Sequence, residues 1–375
     1  MSVTPRLLIA GLSGDSGKTI VSLSLLEALR AKGLVPAPFK KGPDYIDAAW
    51  LGWAAGTVCR NLDSFMVDGR RLLSRFVNAT QDCDLALIEG NRGLFDGLDT
   101  HGTHSSASLA RLLGAPVVLV VDATKSTRTL AALVRGCMDF EEGVSVAGVV
   151  LNGVAGERHR TVASEAIEDR CGIPVLGSLP KRRSDSDIIP QRHLGLVPPT
   201  ETAENEHIRQ RLSALARDHL DVSGILALAN QVRSVGPVDE LPSTATPCSV
   251  RIGYFRDSIF TFYYPENLEA LEAAGAELVP VSSVEDAELP NIDGLYIGGG
   301  FPETQMDSLG ENRAMMDSVR RAVDTGLPTY AECGGLIYLS RSLSSGTKRY
   351  DMAGVFEIDL NLQPRPCGHG YVEAE

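Results

Sequence analysis

The run Ile-Ala-Gly-Leu-Ser-Gly-Asp-Ser-Gly-Lys-Thr over residues 9–19 has the residue types and spacing to hold a polyphosphate. An apolar stretch, Leu7 to Ala10, leads into it, and an apolar periodicity at Ile20, Leu23, Leu26 and Leu29 follows. That order predicts strand, phosphate loop and helix. Gly11, Gly14 and Gly17 let the backbone curl so that its N–H groups point at an anion, and the helix adds its positive end. Gly14, Asp15, Ser16, Gly17, Lys18 and Thr19 form the candidate nucleotide-binding set. Lys18 reaches the outer phosphates, and the Thr19 hydroxyl is a Mg²⁺ ligand. The usual Gly-x-x-x-x-Gly-Lys-Thr pattern would place a glycine at position 12. Leu12 stands there, and Gly11 lies one position earlier.

Three further segments carry acids or amides at the ends of apolar runs. Lys40-Lys41-Gly42-Pro43-Asp44-Tyr45-Ile46-Asp47 follows the run Val35–Phe39. In a doubly wound sheet this falls at the carboxyl edge beside the phosphate loop. Two cations and two carboxylates there suit Mg²⁺ and phosphate work; the alternative is a solvated charged turn. Leu85-Ala86-Leu87-Ile88 ends in Glu89, where nucleotide hydrolases put a metal-organising carboxylate. Arg92, just beyond, is a candidate for holding an anionic substrate group. Asp96 is either a second metal or orienting acid or a turn residue between glycines. Asn152, after Gly148–Leu151, either reads a base edge or caps a turn. His101 and His104 lie in a polar loop and read as solvated side chains rather than metal ligands.

The third kind of chemistry is a thiol. Ala331-Glu332-Cys333-Gly334-Gly335 follows an apolar strand and precedes a helical stretch, Leu336–Ser340. A cysteine on a sharp strand-to-helix turn is exposed and can act as a nucleophile. A buried structural thiol is the alternative. Upstream, Ile297-Gly298-Gly299-Gly300 is a glycine turn after another strand. Gly299, Gly300 and Gly334 are candidate oxyanion-hole residues for a tetrahedral intermediate.

Elements that position these groups can be read in order. Apolar runs at Arg6–Ala10, Val35–Phe39, Leu85–Glu89, Pro116–Asp122, Val146–Leu151 and Val175–Leu179 alternate with helical stretches such as Ala107–Leu113 and Thr127–Arg135. This predicts βαβ units and a mostly parallel, doubly wound sheet. Residues 199–220 read as one amphipathic helix. Residues 233–248 lack apolar periodicity and contain three prolines, so they read as a linker. A second α/β pattern follows, giving domains at 1–232 and 249–375. Its strands are expected at Val250–Tyr254, Glu277–Pro280, Gly294–Ile297 and Thr329–Ala331, and its helices at Pro265–Ala274 and Arg313–Asp324.

Composition excludes several classes. A net charge of -13 argues against nucleic acid or an anionic membrane surface as the main partner. There is no run of about 18 apolar residues that would span a bilayer. The seven cysteines are scattered, odd in number and without a Cys-x-x-Cys, so a reducing cytoplasm is expected rather than a disulfide framework.

Taken together, these motifs carry a family resemblance. The phosphate loop is similar to the wider one of ATP-dependent synthetases such as dethiobiotin synthetase. With Lys-Gly-Pro-Asp-Tyr-Ile-Asp, Arg60-Asn61-Leu62-Asp63, Glu89-Gly90, Gly93-Leu94-Phe95-Asp96-Gly97, Ile173–Pro180, Arg192–Leu196 and Ala-Glu-Cys-Gly-Gly, the whole chain resembles the cobyrinic acid a,c-diamide synthases. The resemblance implies a P-loop synthetase domain fused to a class I glutamine amidotransferase-like domain. It implies ATP, Mg²⁺, L-glutamine and a tetrapyrrole, with amidation of acetate side chains a and c; a homodimer is left open. Carried over by residue, Asp44, Asp47, Glu89 and Asp96 are catalytic acids, with Asp44 and Glu89 also on the metal. Tyr45 and Ile46 contact substrate, and Cys333 is the amidotransferase nucleophile.

Three departures qualify the match. Asn91-Arg92 and the doubled Lys40-Lys41 resemble the branch that amidates siroheme-type tetrapyrroles, an alternative by the same chemistry. The family's catalytic histidine segment, resembling Gly-His-Glu-Phe-His, has no counterpart before Glu375. The second domain is therefore expected to be C-terminally incomplete, with no histidine ring nitrogen within ~3.5 Å of the Cys333 sulfur. His369, in a Cys-Gly-His-Gly-Tyr setting, is the sole histidine after Cys333. From other classes, a MinD-like partitioning or transport ATPase and a non-catalytic tetrapyrrole-binding homologue remain as rivals.

Overall fold

The computed structural model describes residues 4–182, 188–192, 195–235, 250–363 and 370–372. They fall into two compact units, Met1–Pro242 and Ser243–Glu375. The inferred linker, apart from residues 233–235, lies outside the described residues.

In the first unit, β1 (Arg6–Gly11), β2 (Pro36–Lys41), β3 (Arg60–Leu62), β4 (Leu85–Gly93), β5 (Val117–Asp122), β6 (Val146–Val154) and β7 (Val175–Pro180) form one parallel sheet in the order β3-β2-β4-β1-β5-β6-β7. Its central strands are near-continuous runs of Leu, Ile and Val because helices cover both faces. Alternation divides β1 between two cores. Leu7 and Ile9 pack with Leu23, Trp50 and Leu212 on one face, while Leu8 and Ala10 pack with Phe39, Phe76 and Val134 on the other. From β1 the chain builds outward on one side with β2 and β3, returns with β4 between β2 and β1, and then crosses to the other side with β5. That reversal opens a crevice at the carboxyl ends of β1 and β4, where α/β sheets bind ligands.

Two short strands, β8 (Gln191–Arg192) and β9 (Gly195–Leu196), pair antiparallel. The stretch expected as one helix over 199–220 is a short 3-10 turn, Pro199–Glu201, then a helix Asn205–His219. Pro199 fits a first helical turn, and three intervening residues break the periodicity before the buried stripe of Ile208, Leu212 and Ala216 begins.

The second unit holds a parallel sheet of β10 (Arg251–Phe255), β11 (Glu277–Val281), β12 (Gly294–Ile297) and β13 (Thr329–Ala331), ordered β11-β10-β12-β13. Beside it, β14 (Ser342–Ser345), β15 (Lys348–Asp351) and β16 (Asp359–Asn361) make a small mixed sheet. The core gathers Phe255, Phe260, Ile297, Met315, Val319 and Tyr338. Among the described residues, no helix is long and apolar enough to cross a membrane.

Candidate active sites

The phosphate loop closes as its glycines require. Gly17 has φ 93° and opens the helix Lys18–Ala31; a Cβ there would lie 2.3 Å from the Asn152 amide nitrogen. Asp15 also takes a left-handed φ of 55°. The Asn152 Nδ2 donates to the Ser16 carbonyl at 3.0 Å, and its Oδ1 accepts from Arg182 at 3.4 Å. Of the two roles offered for Asn152, the bracing one is seen here: the amide holds the loop from the end of β6. Lys18 folds back over the loop, donating to the Ser13 carbonyl at 2.8 Å. Burial lowers its ammonium from the ordinary lysine value, Glu89 opposes that, and Lys40 adds to it.

Beneath the loop lies a cluster of buried ions. The parallel register sets Lys40 opposite Glu89. The Lys40 Nζ donates to Glu89 Oε1 and to Asp47 Oδ2, each at 2.6 Å. Lys40 is 2% exposed and Glu89 0%. Burial works against the charge on Lys40, but Asp47, Glu89 and Asp44 together outweigh it and hold the ammonium above its ordinary value. The Thr19 hydroxyl donates to Glu89 Oε1 at 3.0 Å. Glu89 Oε2 is buried and has no hydrogen-bond partner among the described residues. With the Thr19 hydroxyl beside it, this orphaned oxygen fits a Mg²⁺ ion. Mg²⁺ takes only one or two protein carboxylates and completes its shell with phosphate oxygens and water. Among the described residues no group of three or more acids, histidines or cysteines is arranged to hold an ion by itself.

Asp44 and Asp47 differ. Asp47 faces Lys40, while Asp44 Oδ1 accepts the Asp47 N–H at 2.9 Å where the helix Ile46–Ala55 begins. Burial, then Asp47, pushes the Asp44 carboxyl up to about 6. Asn61 in β3 anchors this loop, donating to the Gly42 and Asp44 carbonyls at 2.7 and 2.9 Å. Lys40 and Asn61 were missing from the candidate list. The cue for Lys40 was its place at the end of an apolar run; a charged doublet reads as solvated until β4 is paired beside it.

A cavity of about 300 Å³ brings together Gly14, Asp15, Ser16, Gly17, Lys18 and Thr19 with Lys40, Asp47, Glu89 and Arg92. Ile189, Gln191 and Leu196, on the β8–β9 segment, also line it. The Trp50 indole N–H donates to the Val197 carbonyl at 2.9 Å and so pins that segment to the helix Ile46–Ala55. Arg92 has φ 49° and is exposed. Asp44, Tyr45, Ile46, Asp96 and Asn152 are not among the residues lining the cavity. Ile46 packs against the apolar core, and Asp96 Oδ2 accepts the Gly93 N–H at 2.8 Å, the work of a turn acid. A larger cavity of about 620 Å³ on the β7 edge contains none of these groups, and its Arg160 and Arg217 are paired with Glu157 and Asp218.

In the second unit, Cys333 is exposed, with φ 50° and ψ −110°, between β13 and the helix Gly334–Leu339. A non-glycine residue there stores on the order of 1–3 kcal/mol of strain, characteristic of a nucleophile held on a tight elbow. Glycines make the elbow possible. A Cβ on Gly335 would stand 2.4 Å from the Ile297 carbonyl, and one on Gly334 would stand 3.1 Å from the Gly300 nitrogen. Gly299 borders the thiol, with a would-be Cβ 3.4 Å from the Cys333 Cβ. Its N–H, however, donates to the Phe262 carbonyl at 3.3 Å. Gly299 therefore holds the turn instead of offering a donor, which leaves the Gly300 and Gly334 N–H groups as the candidates. The expectation about a histidine beside Cys333 rests on His369, which lies outside the described residues.

A P-loop NTPase-like domain in one unit and a cysteine elbow in the other define a two-domain nucleotide-dependent amidotransferase architecture. Residues 7–194 match the CobQ/CobB/MinD/ParA nucleotide binding domain, and residues 251–375 the CobB/CobQ-like glutamine amidotransferase domain. The cobyrinate a,c-diamide synthase of Magnetococcus marinus is 46% identical over 375 residues, covering 98% of this chain and 80% of that protein. Those of Listeria innocua and Archaeoglobus fulgidus are 40% and 37% identical, over 99% and 98% of this chain and 82% and 80% of theirs. The chain belongs to the cobyrinate a,c-diamide synthase family. Among solved structures, chloroplast FtsY of Physcomitrella patens overlaps 48% of this chain and 59% of its own, at 19% identity and a TM-score of 0.36, too distant to carry an argument.

Proposed function

We propose that the chain amidates the a and c acetate groups of cobyrinate, using ATP and nitrogen from glutamine. The observation that carries this is the ion cluster of Lys40, Asp47 and Glu89 directly under a phosphate loop, in a chain whose other unit presents an exposed thiol on a glycine-lined elbow. A substrate carboxylate oxygen attacks the γ-phosphorus of ATP and ADP leaves, giving an acyl phosphate. Ammonia then attacks the acyl carbon, phosphate leaves and a proton is lost, giving the amide. Lys18 and the loop N–H groups hold the phosphates, and Thr19 and Glu89 are the residues that would hold Mg²⁺. When bound, that ion neutralises charge on the transferred phosphoryl group. Lys40 bonds to both Asp47 and Glu89 and so fixes their carboxylates in place, and Arg92 at the cavity mouth suits a second carboxylate of a polyacidic substrate.

In the second unit the Cys333 thiol attacks the glutamine side-chain carbonyl, ammonia departs, and water releases glutamate from the thioester. The Gly300 and Gly334 N–H groups are the proposed oxyanion donors. Mass spectrometry of cobyrinate and of siroheme-type tetrapyrroles, each incubated with ATP, Mg²⁺ and an ammonium salt or glutamine, tests the reading. Two successive carboxylate-to-amide changes on cobyrinate are expected, with hydroxamate formed when hydroxylamine is added. Amidation confined to a siroheme-type ring would reassign the substrate, and ATP hydrolysis with no amide on any ring would overturn the ligase reading.

A further inference from the structure

We infer that Tyr263 is a positioning residue for the thiol site, its buried hydroxyl fixing the Gly298–Gly300 turn that faces Cys333. The inference rests on the amidotransferase reading of Cys333. The hydroxyl donates to the Phe255 carbonyl at 2.6 Å and accepts the Gly298 N–H at 2.9 Å. It thereby ties the carboxyl end of β10 to the turn that leaves β12, the strand next to it. Tyr263 is 7% exposed, and its ring meets Tyr254 and Tyr296 edge-on, with centroids 5.6 and 5.0 Å apart. Burial pushes its phenol well above the ordinary tyrosine range, so the proton stays on and the direction of both hydrogen bonds is fixed.

The rest of the turn is held to the same segment. Phe262 and Gly299 exchange two backbone hydrogen bonds, at 3.0 and 3.3 Å, and the Phe301 N–H donates to the Ile259 carbonyl at 3.1 Å. There is no slack between the layers. A Cβ on Gly298 would stand 2.6 Å from the Tyr263 ring, and one on Gly300 would stand 1.8 Å from the Ile259 carbonyl oxygen. Gly299, between these two, borders Cys333, with a would-be Cβ 3.4 Å from the Cys333 Cβ. The position of an oxyanion donor on Gly300 is therefore set from behind, by Tyr263 and the backbone next to it. Removing the hydroxyl leaves a buried N–H and a buried carbonyl without their partner, and the turn relaxes to satisfy them. A donor displaced from the position of the tetrahedral oxygen costs turnover more than ground-state binding.

The test compares Tyr263→Phe with Tyr254→Phe in the full-length protein; the second removes a neighbouring hydroxyl that makes no bond to the turn among the described residues. Glutamine hydrolysis gives kcat and KM, and iodoacetamide alkylation of Cys333, followed by mass spectrometry, reports whether the elbow still presents its thiol. Alkylation needs an exposed sulfur but no oxyanion hole. Tyr263→Phe is expected to lower kcat by roughly 10- to 100-fold, with KM and the alkylation rate changed by less than about two-fold. Tyr254→Phe is expected to match the wild type. Unchanged kcat in Tyr263→Phe overturns the proposal, and so does a parallel fall in kcat and alkylation, which marks collapse of the elbow. If Tyr263→Phe does not fold, Gly298→Ala, which presses the turn from the ring side, must give the same kcat-only loss; wild-type kinetics there overturn the proposal. A full-length wild-type protein, carrying whatever follows Glu375, that neither hydrolyses glutamine nor is labelled by the glutamine analogue 6-diazo-5-oxo-L-norleucine overturns the amidotransferase reading, and the positioning role with it.

Discussion

Lys40 and Glu89 are buried, and Lys40 bridges Glu89 to the half-buried Asp47, whereas Cys333 stands exposed on a strained backbone. The first site is built from side-chain charge, and the second from main-chain shape. Phosphoryl transfer gives a protein little covalent work, so its site must supply preorganised charge. Acyl transfer to a thiol needs a nucleophile presented at an angle and N–H groups aimed at one oxygen. Each unit spends its buried polar groups on the demand it faces.

The comparison is broken most severely at Lys18. Lys18→Ala is expected to abolish amide formation with either ammonium or glutamine, because it removes the cation that folds over the loop onto the Ser13 carbonyl. Amide yield measured by mass spectrometry checks this, and near wild-type yield would overturn the nucleotide-site assignment. Cys333→Ala in the full-length enzyme is the complement: glutamine-dependent amidation is lost, while ammonium-dependent amidation stays near wild type. If glutamine still supports turnover, the thiol is structural.

A smaller effect is expected at Glu89. Glu89→Gln removes a charge from the cluster and lowers kcat with ammonium by at least about 10²-fold, with tetrapyrrole binding retained. A raised KM at unchanged kcat would make Glu89 a substrate-binding group instead. The smallest effect concerns stability. The Asp44 carboxyl is pushed up to about 6, above the ordinary aspartate range, so the folded state binds the proton more tightly than the unfolded state does. Ionising Asp44 therefore costs stability; the cost is absent below about pH 4, grows between about pH 4 and 6, and is complete above that. Asp44→Asn is expected to stabilise the chain by up to about 3 kcal/mol at pH 7.5 but not at pH 4, measured by urea unfolding. The same variant is expected to lower turnover at least about 10²-fold, so stability and activity move in opposite directions. Equal stability at both pH values would mean that Lys40 already compensates the charge.

The two sites also differed in how much could be read before folding. The phosphate loop, the strand ending in Glu89 and the Cys-Gly-Gly elbow are local patterns, legible because apolar runs with polar ends mark the carboxyl edge of a parallel sheet. Short strands such as β3, β14 and β16 carry too few apolar residues to announce themselves. What was illegible is relational. Lys40 becomes a buried ion only when its strand pairs with β4, and Asn152 becomes a brace only when β6 ends beside Ser16. Tyr263 follows the same rule, because its two partners lie eight and thirty-five residues away. Asp96, set between glycines, gave a local signal that fitted two roles, and its bond to Gly93 is the turn role.

The indole that pins the β8–β9 segment gives the molecule an optical handle. The chain has two tryptophans, Trp50 and Trp53, stacked edge-to-face on one helix with centroids 5.1 Å apart. Trp50 is fully buried, one helical turn from Asp47, and holds the segment that closes the nucleotide cavity; Trp53 lies under the Arg209 guanidinium at 4.4 Å. The second unit has none. Intrinsic tryptophan emission from the intact protein is therefore a private channel to the nucleotide side. Its colour and intensity follow what happens around that helix, so occupancy of the nucleotide site can be followed without a label.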